Sequence, residues 1–300
     1  MALGLGLGRP SRQHWLGYLL LVPATLLVAV LILYPLLVSV DLSFQNVGIP
    51  RLGDARRPWT GDNYDRLINS GEFWISAWVT AKFLVVVTGA SFVIGLGTAL
   101  LVNREFRGRR LARLIVALPW AVPEVVAVVI FAWIFDSSFG LANWLLIKLG
   151  LAQQTISWFS DPTAAFFAVC CTMVWKAYPF VSIMSLAGLQ AIPEDYYQAA
   201  RVDGANALQR FLYITVPCLA PVLAVTAVLV VLWLFRDFSI VYTMTQGGPV
   251  KATQTLSIMT YLQAFSFFKM GYASAIGVVT LVLCTVASLL MVGRRTDAMY

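Results

Sequence analysis

IPEDYYQAARVDGANALQRFLYITVP, residues 192–217, is the long polar, helix-patterned segment deep in the chain, and apolar runs flank it on both sides. Pro193 with Glu194 and Asp195 makes a good first helical turn, because proline tolerates that position and carboxylates suit the positive end of the helix dipole. The expected helix continues through Ala199, Ala200 and Arg201, whose small members allow close backbone approach. Gly204, after Asp203, can take the left-handed conformation that ends a helix, and Ala205 to Ile214 can start a second one before Pro217. The stretch therefore reads as helix, turn, helix: a structured handle between two membrane-seeking segments.

The rest of the chain sets the medium in which that handle sits. Of 300 residues 60% are hydrophobic and 12% charged, and the mean hydropathy is +0.80. Such a balance describes an all-α polytopic membrane protein rather than a soluble domain. Cys170, Cys171, Cys218 and Cys284 all fall inside apolar runs, so they read as small buried hydrophobes and not as a disulfide or metal framework. With His14 as the single histidine, zinc clusters and His-based triads are excluded. A pI near 9.4 without an aromatic-basic surface gives no case for nucleic acid. The first apolar run is too long for a signal-peptide core and reads as a retained anchor.

Crossing a bilayer takes ~20 apolar residues of helix. Six stretches meet or approach this, near 15–40, 75–102, 114–135, 163–190, 212–235 and 271–292. The loop Asn103 to Arg113 carries five arginines in eleven residues, which places it in the cytoplasm by the positive-inside rule. On that assignment the inner segments hold 11 Lys/Arg in 54 residues and the outer ones 8 in 96. Both termini and the 192–217 handle are then cytoplasmic. Residues 1–74 divide into a cytoplasmic tail, the first transmembrane helix and an outer loop with Gly48, Pro50, Gly53, Pro58 and Gly61 as turn formers; 75–292 form the core, and 293–300 a second cytoplasmic tail.

Within the spans, ALPWAVPEVV (117–126) places Pro119 and Pro123 four residues apart, a helix break of the sort that lines a path. GASFVIGLG (89–97) provides a small-residue face for tight helix contact. Charges inside spans cost at least ~2.5 kcal/mol each, so Lys82, Glu124 and Lys176 stand out. Lys82, near the outer end of its span, can snorkel to the headgroups. Glu124 lies ~15 Å into its span and Lys176 ~21 Å above the inner end of its own, nearly the same depth. They either pair with one another or hydrogen-bond a polyhydroxylated substrate. Trp133, Trp175, Tyr178, Phe238 and Tyr242 are candidates to stack on the CH faces of a sugar, or to serve as packing and belt residues.

At QAARVDGA (198–205), followed by Ile214 and Pro217, the handle resembles the EAA motif of the permease subunits of binding-protein-dependent ABC importers. The likeness extends to WTGDNYDRLI (59–68), to a short surface helix in FDSSFGLANWLLIKLG (135–150) with Trp144 at the interface, and to Trp175, Pro179, Phe180, Gly188, Leu189, Gln190, Ile192 and Pro193. It continues through Thr245, Gly247, Gly248 and Pro249 to AFSFFKMGYASAIGVV (264–279), so it covers roughly residues 60–292. Gln198 stands where the family's leading Glu would be, which keeps hydrogen bonding and drops a charge. The resemblance implies a type I importer permease fold of the maltose and glycerol-phosphate class, in the cytoplasmic (inner) membrane of a prokaryote. It implies as partners a second homologous permease, two ATPase subunits docked on the handle and an extracytoplasmic solute-binding protein. Gln198, Ala199, Ala200, Asp203, Gly204 and Ala205 would form the ATPase-coupling contact, and the cargo would be a sugar, with a di- or oligosaccharide favoured over glycerol phosphate because the spans hold few cations.

None of the five lysines follows a glycine, so the GxxxxGK[ST] loop of an ATPase is absent, and no serine sits in a GxSxG elbow. The expected protein is a non-enzyme with no cofactor of its own, ATP and Mg being bound by partner subunits. Two other classes stay open: an ion-gradient-driven transporter or channel with Glu124 as coupling site, whose usual inverted repeat is not evident, and a scaffold that anchors a partner.

Overall fold

The computed structural model describes residues 12–48 and 58–296, and among these it is helical with no strand. The expected N-terminal tail through Ser11, the turn formers Pro50 and Gly53, and the last four residues lie outside the described residues. Among the described residues five helices are long and apolar enough to cross a bilayer: α1 (Leu19–Ser43), α3 (Gly71–Asn103), α7 (Pro162–Gln190), α9 (Ala207–Arg236) and the span Met270–Met291, which is the body of α12 (Met270–Thr296). Between them lie α2 (Asp62–Ile68), α4 (Arg109–Ala121), α5 (Glu124–Ile134), α6 (Leu141–Lys148), α8 (Glu194–Val202), α10 (Ser239–Thr245) and α11 (Leu256–Tyr261).

The span expected near 114–135 is not one helix. It is α4 and α5, bent by 97° at Val122–Pro123. Pro119 is accommodated in the last turn of α4, whereas Pro123 pushes the residue before it out of the helical region, and Val122 is extended at φ −69°, ψ 130°. The second proline, not the first, breaks the rod.

Helices α3 and α7 form the central pair. They run in the same direction, as contact of the Phe83 and Phe166 rings and of the Thr98 and Ser182 hydroxyls at 2.9 Å requires. A methyl group on Gly95 would stand 2.6 Å from Cβ of Val181 and 2.9 Å from the Tyr178 carbonyl, so the contact exists only because that side chain is a hydrogen. Gly89 and Gly97 face open space, which narrows the expected small-residue face to Gly95 and the buried Ser91. The core grows around this pair from Val79, Val87, Val128, Val169, Met173 and Val230. Cys170 is buried there; Cys218, expected to be buried, is exposed. Lys82, expected to reach for headgroups, holds its ammonium 5.1 Å from the Phe166 ring centre.

At the end of the molecule where α3 begins, polar groups tie distant segments together. Gln254 donates to Glu72 at 2.9 Å and to Ser76 at 3.3 Å, Lys251 pairs with Glu72 at 2.9 Å, and the Leu256 amide donates to Thr80 at 3.0 Å. Asn63 donates to the carbonyls of Ser43 and Gln45, both at 2.9 Å, and so fastens α2 to the end of α1.

Candidate functional site

The handle is built largely as its residues suggest. Pro193 caps α8, Gly204 is left-handed at φ 80°, and the Ala205 amide reaches back to the Ala200 carbonyl at 2.9 Å, the closure of a glycine-terminated helix. Glu194 and Arg201 pair along α8, and Tyr197 shares a 2.9 Å hydrogen bond with Thr215. After the turn, Asn206 accepts from the Gln209 amide at 2.9 Å while Gln209 accepts from the Asn206 amide at 2.8 Å. The second helix starts before Pro217, as expected, and runs on through it as α9 to Arg236, merging with the span expected near 212–235. A wider π turn at Phe211–Thr215, just upstream, takes up the missing proline donor and the bulk of its ring. Gln198, Ala199, Asp203 and Gly204 are exposed, Ala200 and Ala205 half-buried, and Val202 (88% exposed) and Leu208 (64%) stand bare beside them.

The second feature is a cavity of about 480 Å³ at the break between α4 and α5. Trp120 and Glu124 come from either side of the break, Met173 and Lys176 from α7, Trp233 and Arg236 from the end of α9, and Asp237 and Phe238 from the turn that follows. Chain ends of two helices thus meet the middle of a third. The geometry of Lys176 decides what each charge can do. Its ammonium donates to the carbonyls of Val122 at 2.6 Å, Pro119 at 3.1 Å and Trp120 at 3.5 Å. These are the carbonyls that α4 leaves unpaired where it stops, at the negative end of its dipole. An ammonium has three donors, and all three are spent there.

Glu124 is therefore not the ion-pair partner of Lys176. Among the described residues the ion pairs are Glu194 with Arg201 and Glu72 with Lys251, and the expected Glu124–Lys176 pair is not one of them. Glu124 instead opens α5 and faces the cavity from an exposed position. Asp237, one residue beyond α9, accepts from the Ile240 amide at 3.3 Å and so starts α10. Burial, and after it the neighbouring Glu124 carboxylate, push its carboxyl up to about 7. The cavity consequently presents two acid groups as hydrogen-bonding partners, an arginine at its edge, and the indoles of Trp120 and Trp233 with the ring of Phe238. Phe180 stands behind both indoles, 6.3 Å and 4.6 Å from them between centres.

Other expected path residues are distributed unevenly. Phe238 lines the cavity, and Tyr242 stacks on it at 4.8 Å one step away. Tyr178 lies on the opposite side of α7, with Trp175 and Phe131, in an apolar groove. Trp133 is exposed on α5 and does not line the cavity. Arg236, Asp237, Trp120 and Trp233 were not singled out from the sequence. Adjacent opposite charges closing an apolar run, the FRDF of 235–238, were the available signal. The Asn206-x-x-Gln209 capping pattern was also legible and unread.

Residues 91–293 match the model of the family described as "Binding-protein-dependent transport system inner membrane component". The chain is 38% identical over 278 residues to the trehalose/maltose transport system permease protein MalF of Thermococcus litoralis, covering 91% of this chain and 90% of that one. To the sulfoquinovosyl glycerol transport system permease protein SmoG of Agrobacterium fabrum it is 37% identical, over 94% of this chain and 91% of the other. Among solved structures, a chain of a bacterial ABC transporter involved in import of the acidic polysaccharide alginate superposes with TM-score 0.82 at 22% identity, over 95% and 96% of the two chains.

Proposed function

The chain belongs to the family of binding-protein-dependent transport system inner membrane components, and from that premise we propose that it is the permease subunit of an ATP-driven importer of a di- or oligosaccharide. It is a multi-pass inner-membrane protein of an ABC transporter. The observation that carries the carbohydrate assignment is the cavity at the α4–α5 break, where two indoles and a phenyl ring face the same space as Glu124 and Asp237. Apolar CH faces of a pyranose stack on rings while its hydroxyls donate to carboxylates. The names of the relatives, a trehalose/maltose and a sulfoquinovosyl glycerol permease, support the same class.

Energy enters through separate subunits. The chain lacks a phosphate-cradling loop of the GxxxxGK[ST] kind, so we assign ATP and Mg to two ATPase partners docked on α8 and its turn, where Val202 and Leu208 are uncovered. A second homologous permease completes the path, and an extracytoplasmic solute-binding protein delivers the sugar. Closure of the ATPase dimer would move α8, and through the uninterrupted α9 that movement reaches Arg236 and the cavity, changing the side to which it opens. The test is uptake of labelled maltose, trehalose and longer glucosides into proteoliposomes holding the whole complex and its binding protein. Saturable uptake that needs ATP is expected. Uptake without ATP, driven by a proton or sodium gradient and abolished by Glu124→Gln, would replace this reading with a gradient-coupled one.

A further inference from the structure

The arginine-rich loop after α3 borders an uncovered apolar surface. Beside it, between the end of α3 and the start of α4, lies a groove of about 520 Å³ walled by Leu101, Val102, Phe106, Ile115 and Val116, with Arg104 at its rim. Leu101 (62% exposed) and Ile115 (59%) leave the walls apolar and uncovered. The surrounding segment carries Arg104, Arg107, Arg109, Arg110 and Arg113 against the single acid Glu105. Among the described residues none of these arginines forms an ion pair with a carboxylate. Arg113 donates through one terminal nitrogen to the Val102 carbonyl at 3.4 Å, but its buried Nε has no partner. Helix α4 begins at a left-handed Gly108 with no side-chain cap and no acid in its first turn, so its amide dipoles add to the same positive field.

We propose that this groove binds an anionic phospholipid, one acyl chain lying between α3 and α4 and the phosphate resting on the arginines around Arg104. The two halves of the site select the ligand together. Apolar walls flanking a transmembrane helix suit a hydrocarbon tail and would strand the polar groups of a protein loop. The guanidinium cluster at the same end suits a phosphate, which accepts forked pairs of N–H bonds. A free phosphate would use the arginines and leave the groove empty.

The experiment uses the assembled transporter in nanodiscs of phosphatidylcholine with a minor fraction of phosphatidylglycerol, counting lipids retained per complex by native mass spectrometry. Retention of phosphatidylglycerol over phosphatidylcholine is expected. At about fivefold per interfacial cation, Arg104→Gln with Arg110→Gln lowers it by more than tenfold. Ile115→Trp, which fills the groove and leaves the arginines, also lowers it, and Arg201→Gln on the handle does not. In the unaltered complex, a phosphatidylglycerol with a photoreactive acyl chain labels Leu101 or Ile115, a measurement that survives any failure of a variant to assemble. Equal retention of the two lipids, or labelling elsewhere, overturns the proposal. Full displacement by soluble glycerol phosphate would reduce the site to a phosphate site, and loss of ATPase subunits with lipid unchanged would make it a protein contact; either result also overturns it. Failure of sugar uptake bears on the cavity alone and leaves this test intact.

Discussion

The handle and the cavity are both departures from continuous transmembrane helix, yet they are finished in opposite ways. In the handle polar side chains are bonded locally, Glu194 with Arg201, Tyr197 with Thr215, and Asn206 and Gln209 each accepting from the other's backbone amide, while apolar Val202 and Leu208 are left bare. In the cavity one cation is consumed by backbone carbonyls, Glu124 faces open space from an exposed position, and the half-buried Asp237 lines the wall while accepting from the Ile240 amide. A surface whose polar groups are largely bonded locally and which shows bare hydrophobes suits a protein partner. A hollow with unsettled polar groups suits a small polar solute. The α9 helix joins the two, beginning in the handle and ending at Arg236 on the cavity wall.

That contrast can be broken most sharply at Lys176. Lys176→Met leaves the carbonyls at the end of α4 without donors, and at 1–3 kcal/mol for an unsatisfied buried group the expected loss is about 3 kcal/mol for the set. The thermal midpoint and yield of the assembled complex should fall together, and uptake with them. Glu124→Gln should leave assembly and midpoint unchanged while raising the KM for sugar, since among the described residues this carboxylate forms no ion pair. If both variants behaved alike, the division between a structural cation and a solute-facing acid would fail.

On the handle side, Gly204→Val forces a β-branched residue into left-handed backbone, at a cost of about 1–2 kcal/mol. The stimulation of ATP hydrolysis by the loaded binding protein should drop, with sugar affinity unaltered. Asn206→Ala removes one arm of the capping box, worth about 1 kcal/mol, and should give a smaller loss of the same kind. The remaining prediction concerns pH. Asp237 titrates near 7 in the folded protein against 3.8 for a free side chain, so the folded state holds the extra proton and stability falls as pH rises from about 4 to about 7, then levels. The thermal midpoint of Asp237→Asn minus that of the unaltered complex should grow across this interval and stay flat above it.

Much of the fold was legible because membrane spans are written in length and hydropathy, properties that need no partner. The handle was legible for a similar reason: a left-handed glycine, a proline-led first turn and a capping pattern act within a few residues. The break at Pro123 was half legible, since two prolines announced it and only the structure decided which of them bends the chain. The cavity was the least visible part. Glu124 and Asp237 lie more than a hundred residues apart, and equal depth along two spans suggested a pair between Glu124 and Lys176 that the carbonyls of α4 pre-empt.

Residue order alone thus settled that this chain carries repeated membrane-crossing stretches and that a helix–turn–helix handle hangs between two of them. Those outcomes follow from local dihedral preferences and from the transfer of apolar side chains out of water, which is not directional. Packing in three dimensions decided which charge serves the backbone and which faces the cavity. A hydrogen bond has direction and a short reach, so the partner of Lys176 was undetermined until α4 stopped beside α7 with its carbonyls exposed.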